Sequence, residues 1–280
     1  MLNERLSAYS ELTDKKLGEL LSNESIPPIL AESMAYSVFS GGKRLRPSLC
    51  MAACELCGGT MENALLPACA VELIHAYSLI HDDLPSMDND DMRRGKPSNH
   101  IAFGEANAIL AGDGLQALAF LALSDCTEAA AIHAIAQGAF EMVMGQSMDC
   151  NACGGADSLA TLQDYKTGAL FRAAVRAGAA CAHAGLQQTN ALTEFANAYG
   201  MLFQITDDIL DFEGSAETLG KTAGKDAASG KTTFVTVYGL DGAKTYAQTY
   251  ARQARQAISG ISREASLFTE LIDFTLARKA

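Results

Sequence analysis

The amino-acid sequence predicts an all-α protein, and three observations carry that prediction. Apolar residues recur three and four positions apart, most clearly over residues 65–80 and 192–209, the spacing that lines one face of a helix. Alanine is abundant, Trp is absent and Pro numbers only 6 in 280 residues, so helix formers are common and breakers rare. Strand-like alternation of β-branched residues is confined to one short candidate, residues 232–238.

Breaks between helices fall, in order, at Pro27-Pro28, Gly41-Gly42, Gly58-Gly59, Gly95-Lys96-Pro97, Gly154-Gly155 and the glycine- and lysine-rich segment 214–230. They delimit helices of about 12 to 25 residues with no stretch long enough to serve as an interdomain linker. Residues 1–280, 49% hydrophobic and 19% charged, are therefore expected to form one large domain. The net charge of −12 leaves no basic surface for a phosphate backbone, which argues against nucleic acid as a partner. The first residues are polar, and the most apolar region, 106–124, is interrupted by Asp113; a cytoplasmic chain without membrane insertion is expected.

Eight cysteines in such a chain read as small buried hydrophobes. Two CxxC pairs occur, Cys54/Cys57 and Cys150/Cys153. Their separation of about 90 residues is far beyond the usual zinc-ribbon spacing, so structural thiols are the better reading.

The chemistry concentrates in two acidic clusters. In Asp82-Asp83-Leu84-Pro85-Ser86-Met87-Asp88 the acids emerge at the end of an apolar helix that Pro85 should stop, because proline disfavours helical geometry at the residue before it. Asp88, six positions beyond Asp82, would sit about 240° round an unbroken helix, so the proline-containing turn must bring it back. In Asp207-Asp208-Ile209-Leu210-Asp211 the four-residue spacing puts Asp207 and Asp211 on one helical face. Crowded carboxylates in an apolar protein repel one another and resist desolvation, so they call for cations. Magnesium suits them: it takes hard oxygen ligands and usually bridges a few carboxylates to substrate phosphates.

A polyphosphate site also needs permanent positive charge. Candidates are Gly41-Gly42-Lys43-Arg44-Leu45-Arg46-Pro47, Arg93-Arg94, and Lys166, Lys221, Lys225 and Lys231. Each alone would read as a surface charge; together with the acids they describe a site.

At these residues the chain resembles the trans-isoprenyl diphosphate synthases, and within them the bacterial farnesyl diphosphate synthases. The likeness runs through Gly41 to Pro47, His75-Ala76-Tyr77-Ser78-Leu79-Ile80-His81-Asp82-Asp83, Asp91-Met92-Arg93-Arg94-Gly95, Phe103-Gly104-Glu105-Ala106, Lys166-Thr167-Gly168, Phe203-Gln204, Asp207 to Asp211 and Leu219-Gly220-Lys221. It implies the isoprenoid synthase fold, with helices around a large central cavity, and a homodimer. It further implies condensation of isopentenyl diphosphate with dimethylallyl and then geranyl diphosphate, releasing pyrophosphate. Asp82, Asp83, Asp88, Asp207, Asp208 and Asp211 would bind three Mg2+ ions around the allylic diphosphate, which Arg93, Lys166 and Lys221 would also hold. Lys43, Arg46, His75, Arg94 and Lys231 would serve the substrate diphosphates, with Gly42 close to the phosphates of isopentenyl diphosphate. The Lys166 carbonyl, Thr167 and Gln204 would face the allylic cation.

Tyr77 lies five positions before Asp82, about 7.5 Å deeper along the helix, where its ring could floor the cavity. In similar enzymes an aromatic residue here, with Ser78 beside it and two extra residues inside the first acidic motif, accompanies the fifteen-carbon product, farnesyl diphosphate. Geranylgeranyl diphosphate synthesis is the alternative. A class I terpene cyclase fits less well, because its second metal motif normally has an Asn/Asp-Ser/Thr-Glu pattern, and a non-catalytic subunit would typically lose one acidic motif. Residues 276–280 loosely resemble the basic tail that closes over isopentenyl diphosphate in similar enzymes; a plain surface tail is the other reading. Residues 221–233 are expected to act as a lid.

Overall fold

The computed structural model describes residues 2–151, 156–214, 232–261 and 265–278, and they are almost wholly helical. Helix α1 (Leu2–Leu21) buries Tyr9, Thr13, Leu17 and Leu21, one residue per turn at the four-residue spacing of an amphipathic stripe. Helix α2 (Pro28–Val38) starts on a proline, whose missing N–H costs nothing in a first turn. Helix α3 (Leu45–Leu56) ends at Cys57, followed by Gly58 at φ +100°, a left-handed exit that satisfies the last carbonyls through Gly58 N–H to Glu55 and Gly59 N–H to Cys54.

A 3-10 turn at Glu62–Ala64 leads into α4 (Leu65–Asp82), buried over almost its whole length between α3, α6 and α9. Each fully buried Leu or Ile there, such as Leu73 and Ile74, contributes about 2 kcal/mol of apolar burial. The helix stops where Pro85 predicts. Two short strands follow, β1 (Met92–Arg93) and β2 (Lys96–Pro97), paired antiparallel around Arg94-Gly95. Both turn residues have positive φ, 51° and 74°, the geometry of a two-residue hairpin turn. After them come α5 (Asn99–Phe103), α6 (Glu105–Leu123) and α7 (Ala129–Cys150).

Helix α8 (Ala156–Gln163) runs into a π-helical turn, Asp164–Gly168, which continues as α9 (Ala169–Cys181). Helix α10 (Leu186–Glu213) packs along α11 (Phe234–Ile258), which is kinked at Gly239, and α12 (Ser266–Leu276) closes the bundle against both.

The all-α expectation stands, with two corrections. Residues 232–238 do not form a strand: Thr233 caps α11, its hydroxyl accepting from the Thr236 N–H while the Thr236 hydroxyl accepts from the Thr233 N–H. That reciprocal box satisfies two first-turn donors, which outweighs the β preference of Val235 and Val237. The strands form instead at the Arg94-Gly95 turn. Two helical segments, Glu62–Asp82 and Glu105–Leu123, are long and apolar enough to cross a membrane, but the first lies 67% buried within the protein. Cys50, Cys54, Cys69 and Cys181 are buried as small hydrophobes; Cys150 is exposed and Cys153 lies outside the described residues.

Candidate active site

A cavity of about 830 Å³ opens between α3, α4, α7, α10, the π turn and the end of α12. Its wall joins residues that the sequence scatters over more than 230 positions. Lys43, Arg46, His75, Arg93 and Arg94 line one side, Lys166, Thr167, Gln204 and Asp207 another, and Tyr77, Ser78 and Asp82 lie on α4. Apolar side chains share the lining, Met87, Met142, Val143 and Leu170 among them.

The first acidic cluster is a turn held by its own backbone. The Asp88 N–H donates to the Asp82 carbonyl at 2.8 Å and the Asp90 N–H to the Asp83 carbonyl at 3.2 Å, so Asp88 does return beneath Asp82. Asp83 is only 2% exposed and receives a forked pair from Arg93, with Nε and Nη2 both at 2.7–2.9 Å. Burial pushes the pKa of Asp82 up to about 6, with Lys166 acting against the shift and Asp88 adding to it.

The second cluster is an unbroken helix whose carboxylates separate by facing. Asp207 looks into the cavity. Asp208 and Asp211 are buried, and Asp208 accepts from the Gln204 side-chain amide at 2.8 Å and from the Phe234 N–H, at the first turn of α11, at 2.9 Å. Gln204 in turn accepts from the Thr167 hydroxyl at 2.7 Å, a chain that ties the π turn to the second acidic helix.

The π turn itself is placed by close approach. A Cβ on Gly145 of α7 would come within 2.2 Å of the Lys166 backbone nitrogen, so only glycine lets α7 lie this near. Arg172 braces the same turn, bonding Glu141 of α7 at 2.7 Å and Asp164 and Asn197 at 2.8 Å each. Single π turns inside helices occur frequently at functional sites.

On the basic side, Arg44 is left-handed at φ 47° and buried. Its guanidinium binds Asp14 at 2.7 Å, Glu72 at 2.8 Å and the Val38 carbonyl at 2.7 Å, which locks the Gly41 to Arg46 loop onto α1, α2 and α4. Arg94 donates to the Gly41 carbonyl, and a Cβ on Gly42 would strike its guanidinium at 2.8 Å, so Gly42 leaves the loop backbone open beside that cation. Arg46 lies over the Phe171 ring at 4.6 Å, and desolvation pushes its pKa down to about 10, still charged at neutral pH. His75 is held neutral by burial and by Arg46, Arg94, Arg93 and Arg44. Its Nε2 sits 3.4 Å from Arg46, which can only donate, so Nε2 accepts.

Several site residues carried no motif in the sequence. Asp149 binds Lys166 at 2.5 Å, Arg278 binds Asp207 at 2.7 Å, and Phe274 lies 4.6 Å from the Lys43 ammonium. Only the loose tail resemblance pointed toward Arg278. Lys221, Lys225 and Lys231, and most of the expected lid, lie outside the described residues.

The donor set fits a hard divalent ion: carboxylate oxygens of Asp82 and Asp207 on one cavity wall, one of them resisting ionisation without a cation. Among the described residues no three His, Cys, Asp or Glu side chains converge on a ready-made metal cage, so an ion here would be shared with a ligand's oxygens.

Residues 27–267 match the family model described as polyprenyl synthetase. The chain belongs to this family. It is 46% identical over 266 residues to the chloroplastic geranylgeranyl pyrophosphate synthase of Capsicum annuum, covering 90% of this chain and 72% of that protein. It is 42% identical over 281 residues to the geranylgeranyl diphosphate synthase of Cyanophora paradoxa, covering 94% of each. Among solved polyprenyl synthetase structures, the Caulobacter crescentus polyprenyl synthase, complexed with calcium and isoprenyl diphosphate, superposes with a TM-score of 0.89 at 28% identity, over 99% of this chain and 98% of that one. The isoprenoid synthase fold and trans-prenyltransferase activity thus hold, and members use a divalent metal. These two relatives carry geranylgeranyl names, while the putative farnesyl-diphosphate synthase of Marinomonas sp. MED121 is 34% identical to this chain with a TM-score of 0.81 over 98% of each.

Proposed function

We infer that this polyprenyl synthetase condenses isopentenyl diphosphate with allylic diphosphates and ends at geranylgeranyl diphosphate. The observation that carries the reaction is one cavity with opposed carboxylates, two sets of cations and an apolar interior; the named relatives support the twenty-carbon end point.

Arg93 and Lys166, beside Asp82, hold the allylic diphosphate. Lys43, Arg46, His75 and Arg94 hold isopentenyl diphosphate, with Gly42 leaving its backbone accessible. Mg2+ would be held first by Asp82 and Asp207, the carboxylates that line the cavity, and would supply Lewis acidity to the leaving pyrophosphate. The three-ion set with Asp83, Asp88, Asp208 and Asp211 that the resemblance implies would require Asp83 and Asp208 to give up their present partners. The preplaced cations stabilise charge that grows as the carbon–oxygen bond breaks, so they act more on the transition state than on the bound substrate. Thr167 and Gln204 present fixed dipoles to the allylic cation, their orientation set by the chain to Asp208. The apolar lining excludes water that would trap the cation.

One observation favours a second product, farnesyl diphosphate: Tyr77 stands in the cavity wall, its ring edge-on to His81 at 5.7 Å and its buried hydroxyl facing Gln116 without a well-formed hydrogen bond. Incubation of the protein with isopentenyl diphosphate and each allylic starter, with products resolved by chain length, separates the two. Twenty carbons as terminal product supports the first reading, fifteen the second, and no elongation removes both.

Pairing as a homodimer is part of the same proposal. Helices α6 and α7 expose Leu110 (56%), Leu121 (63%) and Phe140 (64%), side chains that a second copy would cover. Phe140→Glu should then shift the sedimentation coefficient to that of a monomer.

A further inference from the structure

Arg278 and Asp207 form an ion pair that the proposed chemistry does not use. The guanidinium Nη1 lies 2.7 Å from Asp207 Oδ1, its carbon 5.0 Å from the Phe203 ring centre, and Arg278 lines the main cavity. Its position is built, because the preceding turn of α12 is anchored. Thr275 is fully buried and shares a 3.0 Å hydrogen bond with the Tyr199 hydroxyl, while Phe274 packs on the Lys43 ammonium. Asp207 is therefore bracketed by a guanidinium on one side and acts on Lys43 on the other.

We propose that Arg278 is the resting counter-ion of Asp207, and that it competes with the divalent ion for that carboxylate. This rests on the reading of Asp207 as a metal ligand. The 2.7 Å contact of Arg278 Nη1 with Asp207 Oδ1 is an ion pair and not an aligned hydrogen bond, and a divalent ion that takes that oxygen must displace the guanidinium. The freed guanidinium stays tethered to the end of α12, in the wall of the cavity that Lys43 and Arg46 also line. Metal binding at Asp207 and release of Arg278 are thereby coupled, and by linkage each favours the other.

The coupling predicts an effect of unusual sign: removing a cation from the site should tighten metal binding. The purified full chain, without substrate, is titrated with Mn2+ and free ion is read from its electron paramagnetic resonance signal. Arg278→Gln should bind Mn2+ about three- to five-fold more tightly than wild type, as fits a partly exposed pair. Arg278→Lys should stay within about two-fold, and Arg278→Gln should have no effect once Asp207→Asn is present. Unchanged or weaker Mn2+ binding by Arg278→Gln, or the same gain in the Asp207→Asn background, overturns the proposal. The chain-length assay on wild type judges the enzymatic reading separately: Mn2+ tightening without elongation would leave the counter-ion role standing and remove the prenyl-transfer reading.

Discussion

The two acidic clusters reach one cavity by opposite means. Around Asp82 the chain leaves the helix, folds into a turn stitched by backbone hydrogen bonds, and buries Asp83 under a forked arginine from the hairpin that follows. Around Asp207 the helix never breaks; the carboxylates are sorted by facing alone, and the cation that meets Asp207 comes from a distant helix end. The first cluster is thus held by its own turn and the hairpin after it, while in the second Asp208 and Asp211 are buried and Asp207 meets a cation from far along the chain. Both arginines are partly exposed, but the Asp83 side chain is 3% exposed and that of Asp207 36%. The Asp83 pair should therefore matter to stability as well as to turnover, and the Asp207 pair chiefly to turnover.

The largest effect should be common to both clusters. Asp82→Ala and Asp207→Ala should each lower kcat by about a thousand-fold or more, the scale of losing a principal electrostatic stabiliser. The circular dichroism spectrum should be unchanged, because the turn bonds Asp88 to the Asp82 carbonyl, which alanine keeps. A residual rate near wild type in either variant would break the equivalence of the two clusters.

Stability should then separate them. Arg93→Ala strands the carboxylate of Asp83, which is 2% exposed, and should cost about 3 kcal/mol in urea unfolding. Arg278→Ala leaves Asp207 able to take water and should cost less than about 1 kcal/mol. Equal losses would show that both clusters are held alike.

A smaller loss should come from the link between the second cluster and the π turn. Gln204→Leu leaves the Thr167 hydroxyl and one Asp208 oxygen without their shared partner, which should cost about 1–2 kcal/mol and about ten-fold in kcat at little change in metal dependence. Smallest in rate is Tyr77→Ala on the first cluster's helix, where turnover persists and products lengthen by at least one five-carbon unit. An unchanged product distribution would remove Tyr77 as a determinant of length.

What could be read from the sequence follows the same division. The stop at Pro85 and the return of Asp88 beneath Asp82 are consequences of local geometry that proline imposes. The four-residue spacing of Asp207 and Asp211, by contrast, does not bring both to the cavity, since Asp211 is buried away from its lining. Residues 232–238 misled because β-branched composition is a weak preference, and a Thr233–Thr236 capping box overrode it. The hairpin at Arg94-Gly95 was missed because its strands span two residues each, too short for any alternation to register.

The sequence by itself determined that the chain is helical, that its acids come in two groups needing cations, and that its family is one handling diphosphates, since each of these is written in residue type and near-neighbour spacing. Only the tertiary structure decided that Asp207 alone of its group lines the cavity, that Asp149 holds Lys166, and that Arg278 sits on Asp207. The last pair joins a residue of α10 to one just beyond the end of α12, 71 positions further along the chain (278 − 207). Such contacts arise from the packing of α12 against α10, which no periodicity within either helix encodes.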